Sequence, residues 1–128
     1  MRSRANRMWW GTALEAPDPG ALAAFYSKLL DWPVVHEEPG QAIVKPPQDS
    51  VYVVFQLAED YAPPVWPPKR GQQRTMMHLD IEVADLEAAV ADAVALGARV
   101  ADLQPQDNVR VLLDPAGHPF CLCRDDGN

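Results

Sequence analysis

The spacing of apolar residues predicts a β-α-β-β-β order in the first half of the chain. An apolar run at 8–16 predicts a strand, and apolar residues between 19 and 32 recur every three or four positions, which predicts a helix. Asp18 supplies an N-cap acceptor, Pro19 suits the first helical position, and Pro33 prevents the helix from continuing. The apolar stripe expected in the core comprises Leu22, Phe25, Tyr26, Leu29 and Leu30. The strands that follow are predicted at 34–36, 42–44 and 51–57.

The second half of the chain repeats this order. Alternating residues at 76–83 predict a strand, Asp85 caps the next helix, and Gly97 suits its end. The segment Asp114–Gly117 has the proline and glycine of a type I turn, and His118 directly after it is interpreted as a turn residue. The last three strands are predicted at 100–103, 109–113 and 119–124.

An internal similarity links the two halves. Gly11–Asp18 aligns without a gap with His78–Asp85, and Phe55–Leu57 matches Phe120–Leu122. We therefore expect an α+β fold in which one βαβββ module occurs twice. The predicted organisation is a single domain, 1–128, with modules at about 8–57 and 76–124 and a proline-rich connector at 58–75.

Composition and charge exclude several classes of partner. The chain has 128 residues, of which 48% are hydrophobic and 23% charged, as in one soluble globular domain. A net charge of −7 disfavours nucleic acid and membrane surfaces as partners. No apolar run approaches the ~20 residues that span a bilayer, and no secretory signal pattern is present. We therefore expect a cytoplasmic protein. A reducing compartment also fits Cys121 and Cys123, whose spacing is poor for a mutual disulfide and is not a CxxC motif.

Longer motifs carry a family resemblance over about residues 8 to 124. The second module opens with HLDIEVADLEAAV and closes with DPAGHPFCLC, and the connector contains YAPPVWPP. Paired βαβββ modules with these motifs resemble the vicinal oxygen chelate superfamily, which includes glyoxalase I, bleomycin-resistance proteins and extradiol dioxygenases. More narrowly, the chain resembles small bacterial glyoxalase-like proteins. The resemblance implies a curved mixed sheet that forms a cup around a ligand, with helices outside, and a homodimer. It does not fix the chemistry inside the cup.

Side-chain alternation indicates which residues line this cup. In 76–83, one face is expected to pack against the helices through Met77, Leu79, Ile81 and Val83. The other face places His78, Asp80 and Glu82 in the cup, where water, a ligand or a metal must satisfy them. The further predicted ligand contacts are Trp9, Tyr52, Val54, Gln56, Trp66 and Cys121.

These polar residues allow acid–base chemistry without a metal. Asp80 or Glu82 would act as a general base if an apolar cup raised its pKa, with His78 as the acid partner. The alternative is that both carboxylates are partly solvated or ion-paired.

The resemblance also implies four metal-ligand positions, Gly11, Gln56, His78 and Cys121. Glycine has no donor, and cysteine replaces the usual carboxylate. His78, Gln56 and Cys121 with one open position would suit a catalytic zinc ion, because a thiolate favours zinc over magnesium or manganese. The alternative is a hydrogen-bonded His78 and an inert, buried Cys121.

Two classes of function therefore remain open. The first is a metal-free protein that binds a small, partly apolar molecule, and this interpretation predicts no cofactor. The second is a lyase, isomerase or dioxygenase of the glyoxalase type that uses His78 and Gln56 to hold zinc, nickel, manganese or iron. The departures at Gly11 and Cys121 favour the first.

Overall fold

Each half of the chain forms a four-stranded mixed sheet with one helix packed on one face. The computed structural model describes residues 1–2 and 4–124. It divides into two compact units, Met1–Tyr61 and a second unit that begins at Ala62. This arrangement confirms the predicted α+β class with two βαβββ modules. Among the described residues, no helix is long and apolar enough to cross a membrane.

Apart from a 3-10 turn that precedes the first strand of the first unit, the two units contain the same elements in the same order. The first unit has a 3-10 turn (Arg4–Asn6), β1 (Trp10–Ala16), α1 (Pro19–Leu30), β2 (Val34–Glu38), β3 (Gln41–Val44) and β4 (Val51–Leu57). The second has β5 (Leu79–Val83), α2 (Leu86–Ala95), β6 (Arg99–Val100), β7 (Val109–Leu113) and β8 (Pro119–Arg124). The strand orders are β1-β4-β3-β2 and β5-β8-β7-β6. In both, the first pair is parallel and the other two pairs are antiparallel.

Both helices begin where the sequence predicts them. The Asp18 carboxylate accepts a hydrogen bond from the Ala21 backbone N–H at 3.1 Å, and Asp85 accepts one from Ala88 at 3.0 Å. The first helix ends at Leu30 and is capped by Asp31, which takes the left-handed conformation with φ 55°. Local capping chemistry therefore sets the bounds of the helices.

The core of the first unit lies between α1 and its sheet. Tyr26 stacks on Phe55 with ring centroids 5.6 Å apart, and both residues are fully buried. Leu22 and Val44 are among the other large side chains that are fully buried in this core. Burying each of these large apolar side chains contributes roughly 1.5–3 kcal/mol, so α1 fixes which sheet face is covered.

The structure corrects two predictions in the second unit. The strand predicted at 76–83 begins only at Leu79, and Met76 and Met77 are 89% and 80% exposed, so Met77 does not pack against a helix. The strand predicted at 100–103 ends at Val100. The Gln104 amide explains this shortening, because it donates to the Val111 carbonyl at 2.9 Å and accepts from the Val111 N–H at 2.8 Å. A side chain therefore takes the place of a strand partner.

The turn between β7 and β8 is organised by the buried carboxylate of Asp114, which is 3% exposed. It accepts hydrogen bonds from the backbone N–H groups of Ala116 and His118 at 2.9 and 3.0 Å. The His118 Nδ1 atom lies 2.9 Å from Asp114 Oδ2. Gly117 adopts φ +93°, a conformation that glycine enters without strain. His118 is thus part of the turn, as the sequence predicts.

We expect Asp114→Ala to lower the free energy of unfolding by about 2–3 kcal/mol, because it leaves buried backbone donors without their charged acceptor. Urea unfolding monitored by circular dichroism measures this loss. The matched control is Asp102→Ala, which removes an exposed carboxylate and is expected to be neutral. A loss below about 0.5 kcal/mol for Asp114→Ala would contradict this account of the turn.

Candidate functional site

The sheet face that α1 leaves uncovered is the candidate binding surface of the first unit. Side chains that point toward α1, such as Phe55 and Val44, are buried. Those on the other face are half-buried or exposed. We call this other face the open face of the first unit; it carries Gly11, Ala13, Glu15, His36, Glu38, Gln41, Ile43, Tyr52, Val54 and Gln56.

Strand register arranges the open face in three rows with different chemistry. The first row pairs Gly11 with Tyr52. The second row is largely apolar and runs through Ala13, Val54, Ile43 and His36. The third row is polar and runs through Glu15, Gln56, Gln41 and Glu38. Along the strands, the open face therefore changes from an aromatic row to an apolar row and then to a row of carboxylate and amide groups.

Tyr52 occupies the space beside Gly11. A Cβ atom added at Gly11 would collide with the Tyr52 ring. The side-chain space at position 11 is thus filled by an aromatic ring and cannot hold a metal-binding side chain while Tyr52 keeps this position. The predicted contacts Tyr52, Val54 and Gln56 share one face of β4, as alternation requires.

Trp9 lies just before β1 and is surrounded by cations. Its ring centroid lies 4.4 Å from Cζ of Arg4, 5.0 Å from Nζ of Lys45 and 5.9 Å from Cζ of Arg7. The Trp9 ring is half-buried, and its indole Nε1 is buried without a hydrogen-bond partner in the described part of the chain. The sequence predicts Trp9 as a ligand contact but does not reveal the cations around it.

In the second unit, three predicted site residues come together. His78 Nε2 lies 3.1 Å from Asp80 Oδ1, and Asp80 on β5 is in register with Cys121 on β8. One donor atom from each of these three residues lies within 4.8 Å of the other two. Glu82 is exposed and in register with Cys123. The exposed side chains of His78, Asp80 and Glu82 alternate with the more buried Leu79, Ile81 and Val83.

The environment of Cys121 keeps its thiol protonated. Burial, followed by the nearby negative charge of Asp80, raises the pKa of Cys121 from 9.0 to about 11. The nearby Cys123 and a hydrogen bond with Asp80 also raise the pKa of Cys121. Burial and the charges of Asp80 and Glu82 raise the pKa of Cys123 as well. Without a metal, Cys121 is therefore a neutral hydrogen-bond donor.

The four ligand positions that the resemblance implies do not form a complete donor set. Gly11 offers no donor and its space is taken by Tyr52. Gln56 lies on the open face of the first unit, whereas His78 and Cys121 belong to the second. Within the second unit, Asp80 is the donor that lies next to these two. A set of imidazole nitrogen, carboxylate oxygen and thiolate sulfur has the chemistry of a zinc site, provided that Cys121 loses its proton.

Strand register also corrects the internal alignment at the closing strands. Asp80 corresponds to Ala13 in the alignment of the first strands, and these residues pair with Cys121 and Val54 respectively. Cys121 therefore corresponds to Val54 in the sheets, and Gln56 corresponds to Cys123. The sequence alignment instead matches Gln56 with Cys121, so at the closing strands it is displaced by two residues from the correspondence between the two sheets. A shift of two keeps each side chain on the same face.

Trp66 is the remaining predicted ligand contact. Trp66 lies in the connector, where it is half-buried, and its indole Nε1 has no hydrogen-bond partner among the residues that the structure describes.

The acid–base role predicted for Asp80, Glu82 and His78 stays a prediction. Its geometric basis is the His78–Asp80 contact. The sequence indicates this contact, because residues two positions apart on a strand point to the same face.

Comparisons with known proteins agree with this architecture. A family model described as a glyoxalase-like domain matches residues 11–123. No curated protein matches the chain in sequence. Solved structures show the same fold at low sequence identity.

Three of these structures illustrate the range of proteins that share the fold. A glyoxalase/bleomycin resistance protein/dioxygenase family enzyme from Burkholderia phytofirmans PsJN has a TM-score of 0.68 and 16% identity, over 89% of this chain and 95% of that one. A bleomycin-binding protein complexed with bleomycin has a TM-score of 0.63 and 17% identity, over 94% and 100%. A lactoylglutathione lyase from Agrobacterium tumefaciens has a TM-score of 0.59 and 18% identity, over 94% and 96%. The shared fold thus includes both a binding protein and an enzyme.

The raised pKa of Cys121 predicts slow alkylation of the chelator-treated protein. Because the pKa is about 11 instead of 9.0, the folded thiol has about 100-fold less thiolate at pH 8 than the unfolded one. With modification at Cys121 distinguished from that at Cys123 by tandem mass spectrometry, iodoacetamide should modify Cys121 at least that much more slowly in the folded protein than in the urea-unfolded protein.

Asp80→Asn should accelerate this reaction, because it removes a negative charge next to Cys121. Glu82→Gln is the matched control, since Glu82 contributes to the raised pKa of Cys123 and not to that of Cys121. Equal alkylation rates for Asp80→Asn and Glu82→Gln would contradict the assigned cause.

Proposed function

The chain belongs to the glyoxalase-like domain family, and on this basis we propose that it binds a small, partly apolar molecule without an intact four-ligand metal site. The observation that carries this proposal is the Tyr52 ring, which fills the side-chain space of Gly11. At the place where the resemblance implies a metal ligand, this chain presents an aromatic surface.

The open face of the first unit supports binding of a planar apolar group. Tyr52, Val54 and Ile43 are half-buried and contiguous through strand register, and Trp9 lies beyond Tyr52 at one end. Gln56 at the other end offers an amide for a polar substituent. Binding sites for small molecules typically combine such apolar walls with a few polar groups that orient the ligand.

The second unit supplies polar groups of a different kind. We assign to His78 and Asp80 hydrogen bonds to polar atoms of a ligand, and to Cys121 and Trp66 its less polar contacts. The contact of His78 Nε2 with Asp80 Oδ1 supports this assignment because it places the two polar groups side by side. The bleomycin complex of the structural relative supports small-molecule binding as a function of this fold.

The second candidate function is a metal-dependent lyase, isomerase or dioxygenase of the glyoxalase type. The observation that favours it is the proximity of donors from His78, Asp80 and Cys121. A divalent ion supplies Lewis-acid polarisation of substrate oxygens when it is bound. The proposed role of His78, Asp80 and Cys121 is then to hold that ion.

Two further expectations accompany the proposal. We propose that the protein acts in the cytoplasm, which agrees with its two free cysteines. We also propose a homodimer, as the family resemblance implies. The net charge of −7 supports a small molecule and not a nucleic acid as the partner.

Binding to the open face is testable with N-phenyl-1-naphthylamine, a neutral planar probe whose fluorescence increases in apolar surroundings. We expect one saturable site per chain. Tyr52→Ala should weaken binding by about tenfold, because it removes aromatic contact area. Fluorescence titration measures the affinity.

Trp10→Ala is the matched control for this experiment. Trp10 is 57% exposed but has the opposite strand parity from Gly11, so its loss should leave probe binding unchanged. Equal weakening by both substitutions, or no effect of Tyr52→Ala, would place the probe elsewhere and refute the proposed surface.

Metal binding separates the two candidate functions. For the metal-free proposal, we expect no stoichiometric metal in protein purified without an affinity tag, and no saturable zinc, nickel or manganese binding by calorimetry. The opposite result, one ion per chain that His78→Ala abolishes and Glu82→Gln retains, would favour the metal-dependent enzyme.

A further inference from the structure

We propose that the ligand of this protein carries a carboxylate, phosphate or sulfonate group, which the cations around Trp9 bind. We call Arg4, Arg7 and Lys45 with the Trp9 ring the cationic cluster. This inference deepens the proposed function, because it assigns a charge to the ligand of the open face. The cationic cluster itself lies entirely within the first unit.

Three positive charges converge on one aromatic ring. Arg4, Lys45 and Arg7 lie 4.4, 5.0 and 5.9 Å from the Trp9 centroid, all within cation–π distance. None of the ion pairs between described residues involves these cations. Cation–π contact offsets part of the repulsion between them, but it adds no negative charge. An anion placed among the three cations would remove this repulsion.

The backbone brings Arg4 and Arg7 together at a conformational cost. Ala5 and Asn6 have φ values of 52° and 58°, in the left-handed region that non-glycine residues rarely adopt. The Arg7 N–H donates to the Arg4 carbonyl at 3.0 Å across this turn, so both arginines reach the same ring. Arg7 also donates to the Gln48 carbonyl at 3.2 Å. The cluster is therefore held by the chain and is not a set of independent surface arginines.

The position of the cluster connects it to the open face. Trp9 precedes Gly11 by two residues, and Lys45 follows Ile43 by two, so both continue the alternation of the open face. The opposite end of this face carries Glu15 and Glu38. A ligand with an anionic group is thus attracted at the Trp9 end and repelled at the acidic end, which gives it one orientation.

A pair of probes with one aromatic framework tests the charge preference. N-Phenyl-1-naphthylamine is neutral, whereas 1-anilinonaphthalene-8-sulfonate adds one sulfonate. We expect the sulfonated probe to bind at least about tenfold more tightly at low salt, and this preference to shrink as sodium chloride rises from about 20 to 200 mM.

The double variant Arg4→Gln/Lys45→Gln should abolish this preference and leave the affinity for the neutral probe within about twofold. Lys28→Gln removes an exposed cation of α1 and is the matched control, with the preference retained. Circular dichroism verifies that each variant is folded. Equal binding of the two probes by the unmodified protein, or an unchanged preference in the double variant, would overturn the inference.

Inorganic phosphate provides a test that does not depend on the apolar surface. It should shift the indole N–H resonance of Trp9, identified through Trp9→Phe, and the double variant should remove this response. A phosphate response without binding of the neutral probe would support the cationic cluster and reject the proposed apolar surface. Binding of the neutral probe without a charge preference or a phosphate response would reject the cluster and retain the proposed function.

Discussion

The packing of Tyr26 on Phe55 decides which face of the first sheet is available for chemistry. Side chains alternate across each strand, so a one-residue slip of β4 against α1 would bury Val54 and Gln56 and expose Phe55. Full burial of both aromatic rings makes such a slip costly. Because β4 pairs in parallel with β1, Gly11, Ala13 and Glu15 lie on the same uncovered face as their partners on β4.

The same architecture presents two different chemical surfaces. In the first unit, the uncovered strand residues are aromatic, aliphatic and amide-bearing, with cations at one end. In the second, a histidine, a carboxylate and a protonated thiol lie within a few ångströms of one another. Repetition of the fold has therefore not preserved a repeated site. Gln56 and Cys121 match in the sequence alignment but occupy positions two residues apart in the two sheets, which agrees with this divergence.

Local chemistry made much of the fold predictable. The caps at Asp18 and Asp85 and the strands at 51–57, 109–113 and 119–124 follow from residue type and alternation, and the structure confirms them. The early end of β6 was not predictable, because it depends on the Gln104 side chain reaching Val111. The two arginines beside Trp9 were missed because their positions depend on a left-handed turn without glycine. Alternation placed His78 beside Asp80, but only strand register brought Asp80 to Cys121.

The contact between Gly11 and Tyr52 has a consequence for how this surface can change during evolution. A larger residue at position 11 is obstructed while the ring is present. Loss of the ring alone leaves a gap in the aromatic row and supplies no donor. A change from apolar recognition to metal ligation at this point therefore couples positions 11 and 52, and the effects of substitutions at the two positions are expected to be non-additive. Substitutions at positions 11 and 52 would therefore be expected to occur together in evolution.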